Sequence, residues 1–253
     1  NNLLLVRIIL ILLMIFPLAF SAHSAKVAII IDDIGYRKTD QNALTLPGKI
    51  SYAFLPHTPF AKELAEQANS ADKDVLLHIP MESTSGKLLG PGAITSEMND
   101  EKINAQLTHA LAEIPFAVGI NNHMGSHLTK LRKPMASTMK FLKQHQLFFI
   151  DSMTTSQSKT RALAHVYGVP HLQRHVFLDN HTDAHYIEQQ FKVLIDRAQH
   201  DEFAIGIAHP HPETITALKQ LIPHLAAQNI ELVPVSTLFN QLNNTRTAQL
   251  TSE

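Results

Sequence analysis

Several polar residues that could carry out chemistry follow short apolar runs in this chain. They are the pair Asp32-Asp33, His78, His123, Asp151 and His209. Each run has the length and the β-branched content of a buried strand. In α/β folds the carboxyl ends of the strands form the edge where ligands bind and catalytic residues gather. We therefore expect these side chains to meet in one site built from several strands.

The pair Asp32-Asp33 is the first candidate for this site. Adjacent carboxylates repel each other, so placing both beside one site costs free energy unless a cation or a proton compensates. A common use of such a pair is one carboxylate on a metal and its neighbour as a general base. The alternative interpretation is a solvated turn in which an aspartate caps the next helix.

Two histidines are candidate metal ligands beside this pair. His78 ends the third predicted strand, and His123 follows the fourth in the segment GINNHMGSH (119–127). His127 gives an H-x-x-x-H spacing with His123, but this segment is predicted as a strand-to-loop turn, so we favour His123. The chain has no cysteine, so a metal would be held by His, Asp or Glu, as suits Zn, Co, Ni, Mn or Fe. The alternative for either histidine is a hydrogen-bonded core residue.

His209 follows the apolar run 204–208, and this position suits a general acid that protonates a leaving group. His211 lies two residues later, and we prefer His209 because it is nearer the strand end. Asp151 could orient a histidine or an arginine of the site, or could cap the loop that follows it.

Four further polar residues are candidates for a role in the site. Asn122 and Ser126 could orient a substrate or an oxyanion, or could satisfy the backbone of their loop. Arg174 and Asp179 flank the apolar residues 176–178. They could serve the site or form a structural ion pair with each other.

The elements that must position these residues alternate between strand and helix. The predicted strands are 27–31, 50–55, 74–79, 117–120, 147–150, 174–178, 203–208 and 230–235. The predicted helices are 58–68 with a Thr58-Pro59 start, one after Asn99, 134–145, 158–166, 183–199 and one opened by Pro212 and interrupted by Pro223. This alternation predicts a parallel sheet that closes into an irregular (β/α) barrel, with an open doubly wound sheet as the alternative.

Composition limits the function. Lys and Arg number 21 against 22 Asp and Glu, which argues against a nucleic-acid groove, and no Gly-x-Gly-x-x-Gly follows a strand. The chain has no Trp and only 4 Tyr. Sugar clefts usually stack rings on such residues, so a small or peptide-linked sugar fits better than a long polysaccharide. The loop 83–96, rich in Gly, Ser and Pro, could shape a substrate groove.

The ends of the chain are predicted to lie outside the folded domain. Arg7 precedes the apolar stretch 8–16, and small residues fill 19–25, which indicates a secretory signal peptide over residues 1–25. An uncleaved signal that anchors the chain in the membrane is the alternative. We expect a domain over 26–240, a polar tail over 241–253, and a periplasmic or secreted location.

Six segments together resemble the divergent polysaccharide deacetylase family, an exported branch related to the NodB-type carbohydrate esterases. They are IIIDDIGY (29–36), LLHIPME (76–82), VGINNHMGS (118–126), FFIDS (148–152), RHVFLD (174–179) and IAHPHP (207–212). The resemblance covers residues 26–239. It implies a distorted (β/α)7-8 barrel and a divalent metal, usually Zn²⁺ in the related enzymes.

The resemblance also implies roles for individual residues. The first aspartate of the pair, Asp32, would be the base, Asp33 a metal ligand and His209 the acid. The NodB-type enzymes carry H-x-x-x-H after one strand, where this chain has His78 and Glu82. His78 is therefore carried over as a ligand, and we infer His123 as the third.

The implied function is a metal-dependent hydrolase that removes N- or O-acetyl groups from an envelope or extracellular glycan. One alternative is a non-catalytic glycan-binding or scaffold protein that retains the barrel. The other is a metal hydrolase that acts on a different acyl substrate.

Overall fold

A single parallel sheet contains all nine strands of residues 24–240, the part of the chain that this computed structural model describes. The strands are β1 (Ala25–Ile34), β2 (Ser51–Phe54), β3 (Val75–Met81), β4 (Gly119–Met124), β5 (Phe148–Asp151), β6 (His171–Gln173), β7 (Val176–Phe177), β8 (Phe203–Ala208) and β9 (Ile230–Leu232). Their order is β6-β5-β4-β3-β2-β1-β8-β7, and β9 pairs with the start of β1.

Six α-helices connect these strands. They are α1 (Ala61–Ser70), α2 (Asp100–Glu113), α3 (Arg132–Gln144), α4 (Thr160–Tyr167), α5 (Ala184–Asp201) and α6 (Pro212–Leu221). Their apolar stripes join the outward residues of the strands in one large buried cluster. Within residues 24–240, no helix is long and apolar enough to cross a membrane.

The sheet curls into a barrel because its two end strands follow each other in sequence. β6 pairs with β5 at one end of the sheet, and β7 pairs with β8 at the other. Only Arg174 and His175 separate β6 from β7, so the two ends must lie side by side. This confirms the predicted distorted (β/α) barrel over the open sheet.

The barrel interior is filled by alternate residues of the strands. They form a second apolar cluster that includes Ala28, Ile30, Ala53, Leu76, Phe148, Ile150, Ile205 and Ile207. At the end of the barrel where the strands begin, Phe239 stacks on Phe148 with ring centroids 4.2 Å apart. Apolar packing therefore closes that end, and the polar residues are left for the opposite, carboxyl-end mouth.

The strands differ from the prediction in two ways. β6 was not predicted, because its sequence His-Leu-Gln carries no apolar run. β1 and β4 extend beyond their predicted ends at 31 and 120, so Asp32 and His123 lie within strands rather than after them. The ladder continues through these polar residues because their side chains find polar partners inside the barrel.

The helix starts are partly as predicted. Asn99 caps α2 by accepting a hydrogen bond from Lys102 N at 3.0 Å. The predicted Thr58-Pro59 cap is wrong: α1 begins at Ala61, and Thr58 Oγ1 donates to Leu55 O instead. Pro223 ends rather than kinks its helix, since α6 stops at Leu221 and a 3-10 turn follows.

The predicted signal peptide and polar tail lie almost entirely outside the described residues. Of the signal segment only residues 24 and 25 are described, and Ala25 already belongs to β1. The long loop predicted after β3 is present, held to that strand by a bridge between Met81 and Ile94.

Candidate metal centre and active site

A break in the strand register lets two neighbouring aspartates reach the same site. The pairing of β1 with β2 shifts between Ile31 and Ile34, and Asp33 adopts a left-handed backbone with φ of 59°. In a regular strand, adjacent side chains point to opposite faces of the sheet. The irregularity turns Asp33 back toward the mouth, beside Asp32. Aspartate is among the few non-glycine residues that tolerate this conformation.

Three side chains of the mouth converge as a metal-binding group. Asp33 Oδ1 lies 3.0 Å from His78 Nε2 and 2.8 Å from His123 Nδ1. The three donor atoms lie within 4.8 Å of one another. The structure therefore brings together the three residues predicted as ligands, from β1, β3 and β4.

Asn121 prepares His78 for this role. Asn121 Nδ2 donates to Asp32 Oδ1 at 2.7 Å, so its Oδ1 faces His78 Nδ1, also at 2.7 Å. An amide oxygen only accepts hydrogen bonds, so Nδ1 of His78 must carry a proton. In the neutral ring the lone pair then lies on Nε2, which faces Asp33. A ligand histidine held through its other nitrogen is typical of metal sites.

This donor set fits the divalent metal that the resemblance implies. Two imidazole nitrogens and one carboxylate oxygen are the protein ligands of many catalytic zinc sites, which keep further positions open for water or substrate. The same set also suits other divalent transition metals.

The two aspartates have opposite electrostatic properties. Burial raises the pKa of Asp33, but hydrogen bonds from His123 and His78 outweigh it and hold the pKa well below its usual range. Burial raises the pKa of Asp32, and the nearby charges of His78 and His209 do not reverse this. Asp33 is thus a persistent anion, while Asp32 is the more basic carboxylate of the pair.

His209 lies on the other side of Asp33 and is held by Asp179. His209 Nδ1 is 2.9 Å from Asp179 Oδ1, and His209 N donates to Oδ2 at 2.8 Å. Thr214 Oγ1 donates to the same Oδ2. Nε2 of His209 is left facing Asp33 Oδ2 at 3.9 Å. Burial lowers the pKa of His209, but Asp179 and the site aspartates raise it to about 9 overall.

A second group with metal-ligand chemistry consists of Asp179, His209 and His211. Both carboxylate oxygens of Asp179 already accept hydrogen bonds from His209, and Oδ2 also accepts one from Thr214. Asp33 instead turns Oδ1 toward the rings of His78 and His123. The group of Asp33 is therefore the better candidate for a metal site.

The other predicted residues lie around the site with mainly structural contacts. Asn122 accepts from Ser152 N and donates to Met124 O, and Ser126 accepts from Thr84 N of the loop after β3. Asp151 lies outside the metal group, where it accepts hydrogen bonds from Met153 N, Ser158 and Thr160.

Glu82 and His127 lie near the metal group without belonging to it. Glu82, which follows the strand of His78, accepts from Ser96 N at 2.6 Å and so fastens the long loop. His127 is 3.9 Å from Glu82 Oε1 and is not part of the metal group. The suggested ion pair between Arg174 and Asp179 is wrong, because Asp179 binds His209 and Arg174 binds backbone carbonyls.

Asn121 and Thr214 are the functional residues that the sequence did not reveal. Asn121 precedes Asn122, which was the predicted candidate, and only the strand register shows which of the two faces inward. A polar residue two positions before His123 was the available signal, since alternate residues of a strand share a face.

The barrel and its mouth define a protein of the polysaccharide deacetylase type, with metal ligands, a buried aspartate and a histidine–aspartate pair at the carboxyl ends of the strands. A family model described as "Divergent polysaccharide deacetylase" matches residues 29–239 of the chain. The chain therefore belongs to that family.

Relatives span most of the chain. The uncharacterized protein YibQ of Escherichia coli strain K12 is 38% identical over 219 residues, which are 86% of this chain and 68% of that protein. An uncharacterized protein of Haemophilus influenzae is 35% identical, over 87% of this chain and 79% of its own. The crystal structure of uncharacterized protein ATU2773 from Agrobacterium tumefaciens C58 has the same fold, with a TM-score of 0.82 and 23% identity, over 86% of this chain and 90% of that one.

Proposed function

We propose that this protein is a metal-dependent hydrolase that removes acetyl groups from a glycan. The observation that carries the proposal is the metal-ligand group of Asp33, His78 and His123, with Asp32 on one side and His209 on the other. A general base and a general acid on either side of a metal are what hydrolysis of an amide or ester needs.

Asp32 is suited to take a proton from water. Its Oδ1 accepts from Asn121, which fixes the carboxylate, and its Oδ2 lies 3.7 Å from His78 Nε2, beside the metal ligands. A divalent ion bound by Asp33, His78 and His123 would polarise the acetyl carbonyl and acidify water. The raised pKa of Asp32 makes it a stronger base than an exposed aspartate.

His209 is suited to deliver a proton to the leaving group. With its pKa raised to about 9, it is protonated at neutral pH. Its Nδ1 is committed to Asp179, so the proton on Nε2 faces the site. Attack of water on the acetyl carbon forms a C–O bond, and the C–N or C–O bond to the sugar breaks as His209 protonates the departing atom. The products are acetate and the free amino or hydroxyl group.

The metal is tested first by elemental mass spectrometry of the purified protein. We expect about one divalent ion per chain, lost in Asp33→Ala and His123→Ala. His127→Ala is the matched control, because His127 lies four residues after His123, beyond the end of β4 and outside the ligand group. Absence of metal from the wild-type protein, even after reconstitution with zinc, nickel or manganese, would refute the hydrolase.

The reaction is tested by acetate release from acetylated amino sugars, O-acetylated sugars and simple acyl esters. Release from sugars but not from simple esters supports a carbohydrate deacetylase, whereas release from simple esters alone favours another acyl substrate. Metal without acetate release from any of them favours the glycan-binding or scaffold alternative.

The location belongs to the same proposal: the protein acts in the periplasm or outside the cell, exported by residues 1–25. A fusion of this segment to alkaline phosphatase should be active, since that enzyme needs an oxidising compartment. A fusion that lacks residues 1–25 is the control and should be inactive.

A further inference from the structure

The wall of the barrel mouth opposite the metal group carries two polar side chains that the proposed reaction does not use. Ile150 of β5 is in register with Leu172 of β6, and both pack in the barrel interior. Alternate residues of a strand share a face. Ser152 and Arg174, two residues further along, are therefore at interior positions at the level of the mouth.

Arg174 keeps its charge in a half-buried place. Its Nε donates to Ser152 O at 2.7 Å and its Nη2 to Met153 O at 2.9 Å. Among the described residues it forms no ion pair, although burial lowers its pKa. The guanidinium retains further N–H donors. The carboxylates of Asp151 and Asp32 act on this charge from a distance, but neither pairs with it, so an anionic ligand would stabilise the guanidinium further.

Ser152 provides a second, independent indication of a ligand. Its Oγ is buried and has no hydrogen-bond partner within residues 24–240. Such a group costs free energy unless a ligand or an ordered water satisfies it. It belongs to the residue whose carbonyl holds Arg174, so the two unsatisfied groups lie in one place.

Phe177 links this place to the catalytic residues. The guanidinium of Arg174 lies 3.7 Å from the centroid of the Phe177 ring, and the same ring is stacked near His209 with centroids 6.1 Å apart. Phe177 covers one face of the guanidinium and leaves the N–H groups that the two carbonyls do not use for an oxyanion. A substrate whose leaving atom is near His209 would extend along this wall.

We propose that Arg174 and Ser152 form an anion subsite, which selects acetylated sugars that carry a carboxylate or a phosphate. The subsite rests on the proposed function because it binds a second group of the same substrate. A guanidinium pairs with either oxyanion through two parallel hydrogen bonds. Neutral acetylated sugars lack that contact and bind more weakly.

The test compares three probes in NMR titrations of the metal-loaded protein: N-acetylglucosamine, N-acetylmuramic acid and N-acetylglucosamine 6-phosphate. The first is neutral, the second adds a carboxylate and the third a phosphate. We expect at least one charged probe to bind about ten-fold more tightly than the neutral one and to shift the Arg174 Nε–H signal. Whichever charged probe does so identifies the oxyanion.

Variants separate the subsite from a structural role of Arg174. Arg174→Gln should abolish the preference for charged probes and leave the neutral probe unchanged. Arg161→Gln is the matched control, since Arg161 is exposed on α4 and donates only to Gln173 among the described residues; it should keep the preference. Ser152→Ala should weaken the binding of the charged probe a few-fold.

Other outcomes overturn the subsite. These are equal binding of all three probes, no shift of the Arg174 signal, or loss of neutral and charged binding together in Arg174→Gln. Acetate release is recorded separately with the same probes. A charge preference without acetate release retains the subsite and refutes the hydrolase, whereas equal KM values for neutral and charged sugars retain the hydrolase and refute the subsite.

Discussion

Asp179 holds His209 at two points, accepting a hydrogen bond from its backbone N–H at 2.8 Å and lying 2.9 Å from its ring Nδ1. The residues come from the ends of β7 and β8 and are separated by 29 residues of chain that include α5. One carboxylate thus fixes both the position of the histidine and the orientation of its ring. Both are needed if His209 is to hold a proton toward the site.

Asp179→Asn should lower the pKa of His209 from about 9. After burial, which acts in the opposite direction, the hydrogen bond and the charge of Asp179 are the main causes of that pKa. NMR titration of the ring should place the variant at or below the ordinary histidine value of about 6.5. If metal binding is unchanged while kcat falls at neutral pH, the Asp179 carboxylate acts through the general acid His209. An unchanged pKa would contradict this role.

The raised pKa of His209 also predicts how the stability of metal-free protein depends on pH. The folded pKa of about 9 lies above the unfolded value of about 6.5, so protonation favours the folded state. This stabilisation is present in full below pH of about 6.5 and is lost as pH rises through about 9. It amounts to at most about 3 kcal/mol, reduced by solvent around the ring.

Chemical denaturation across this pH range measures the effect. The difference in unfolding free energy between wild type and His209→Asn should shrink as pH rises from about 6 to about 9.5. Because His78 also has a raised pKa, only this difference, and not the wild-type curve alone, reports His209. A difference that is independent of pH would contradict the prediction.

Asn121→Leu should weaken metal binding by about 10- to 100-fold, as expected for loss of a group that orients a ligand histidine. Leucine has a similar volume but leaves His78 Nδ1 and Asp32 Oδ1 without their partner. Competition with a zinc chelator measures the affinity. Asn69→Leu, at an exposed position on α1, is the control. Equal affinities of Asn121→Leu and wild type would show that His78 needs no such support.

The barrel could be predicted because apolar runs of strand length alternate with amphipathic helices over the whole domain. The site could be predicted because most of its chemical residues interrupt or end those runs. Asp33, His78 and His123 lie far apart in the sequence. Each nevertheless follows a stretch whose pattern is typical of a buried strand. Because the carboxyl ends of parallel strands meet at one edge of a sheet, these positions were enough to predict that the three side chains lie together.

The pairings inside the site could not be predicted, for two physical reasons. The fourth strand was predicted to end at residue 120, so neither Asn121 nor Asn122 was assigned to a face of the sheet. β4 in fact extends to Met124. The neighbour of His209 depends on sheet order, and β7, with only two residues, places Asp179 beside it. An Asp-Asp pair in the sequence predicts neither the register shift near Asp33 nor its left-handed backbone.

Asp151→Ala should destabilise the fold without removing the metal. Asp151 is buried and accepts hydrogen bonds from Met153 N, Ser158 Oγ and Thr160 Oγ1 at 2.6–2.7 Å. Its loss removes the acceptor of three hydrogen bonds from a buried place, which should cost about 2–4 kcal/mol of unfolding free energy. Asp196→Ala is the control, because Asp196 is exposed and within residues 24–240 pairs only with Lys192, and it should change stability by less than about 0.5 kcal/mol. Loss of bound metal from folded Asp151→Ala would instead assign Asp151 to the support of the metal site.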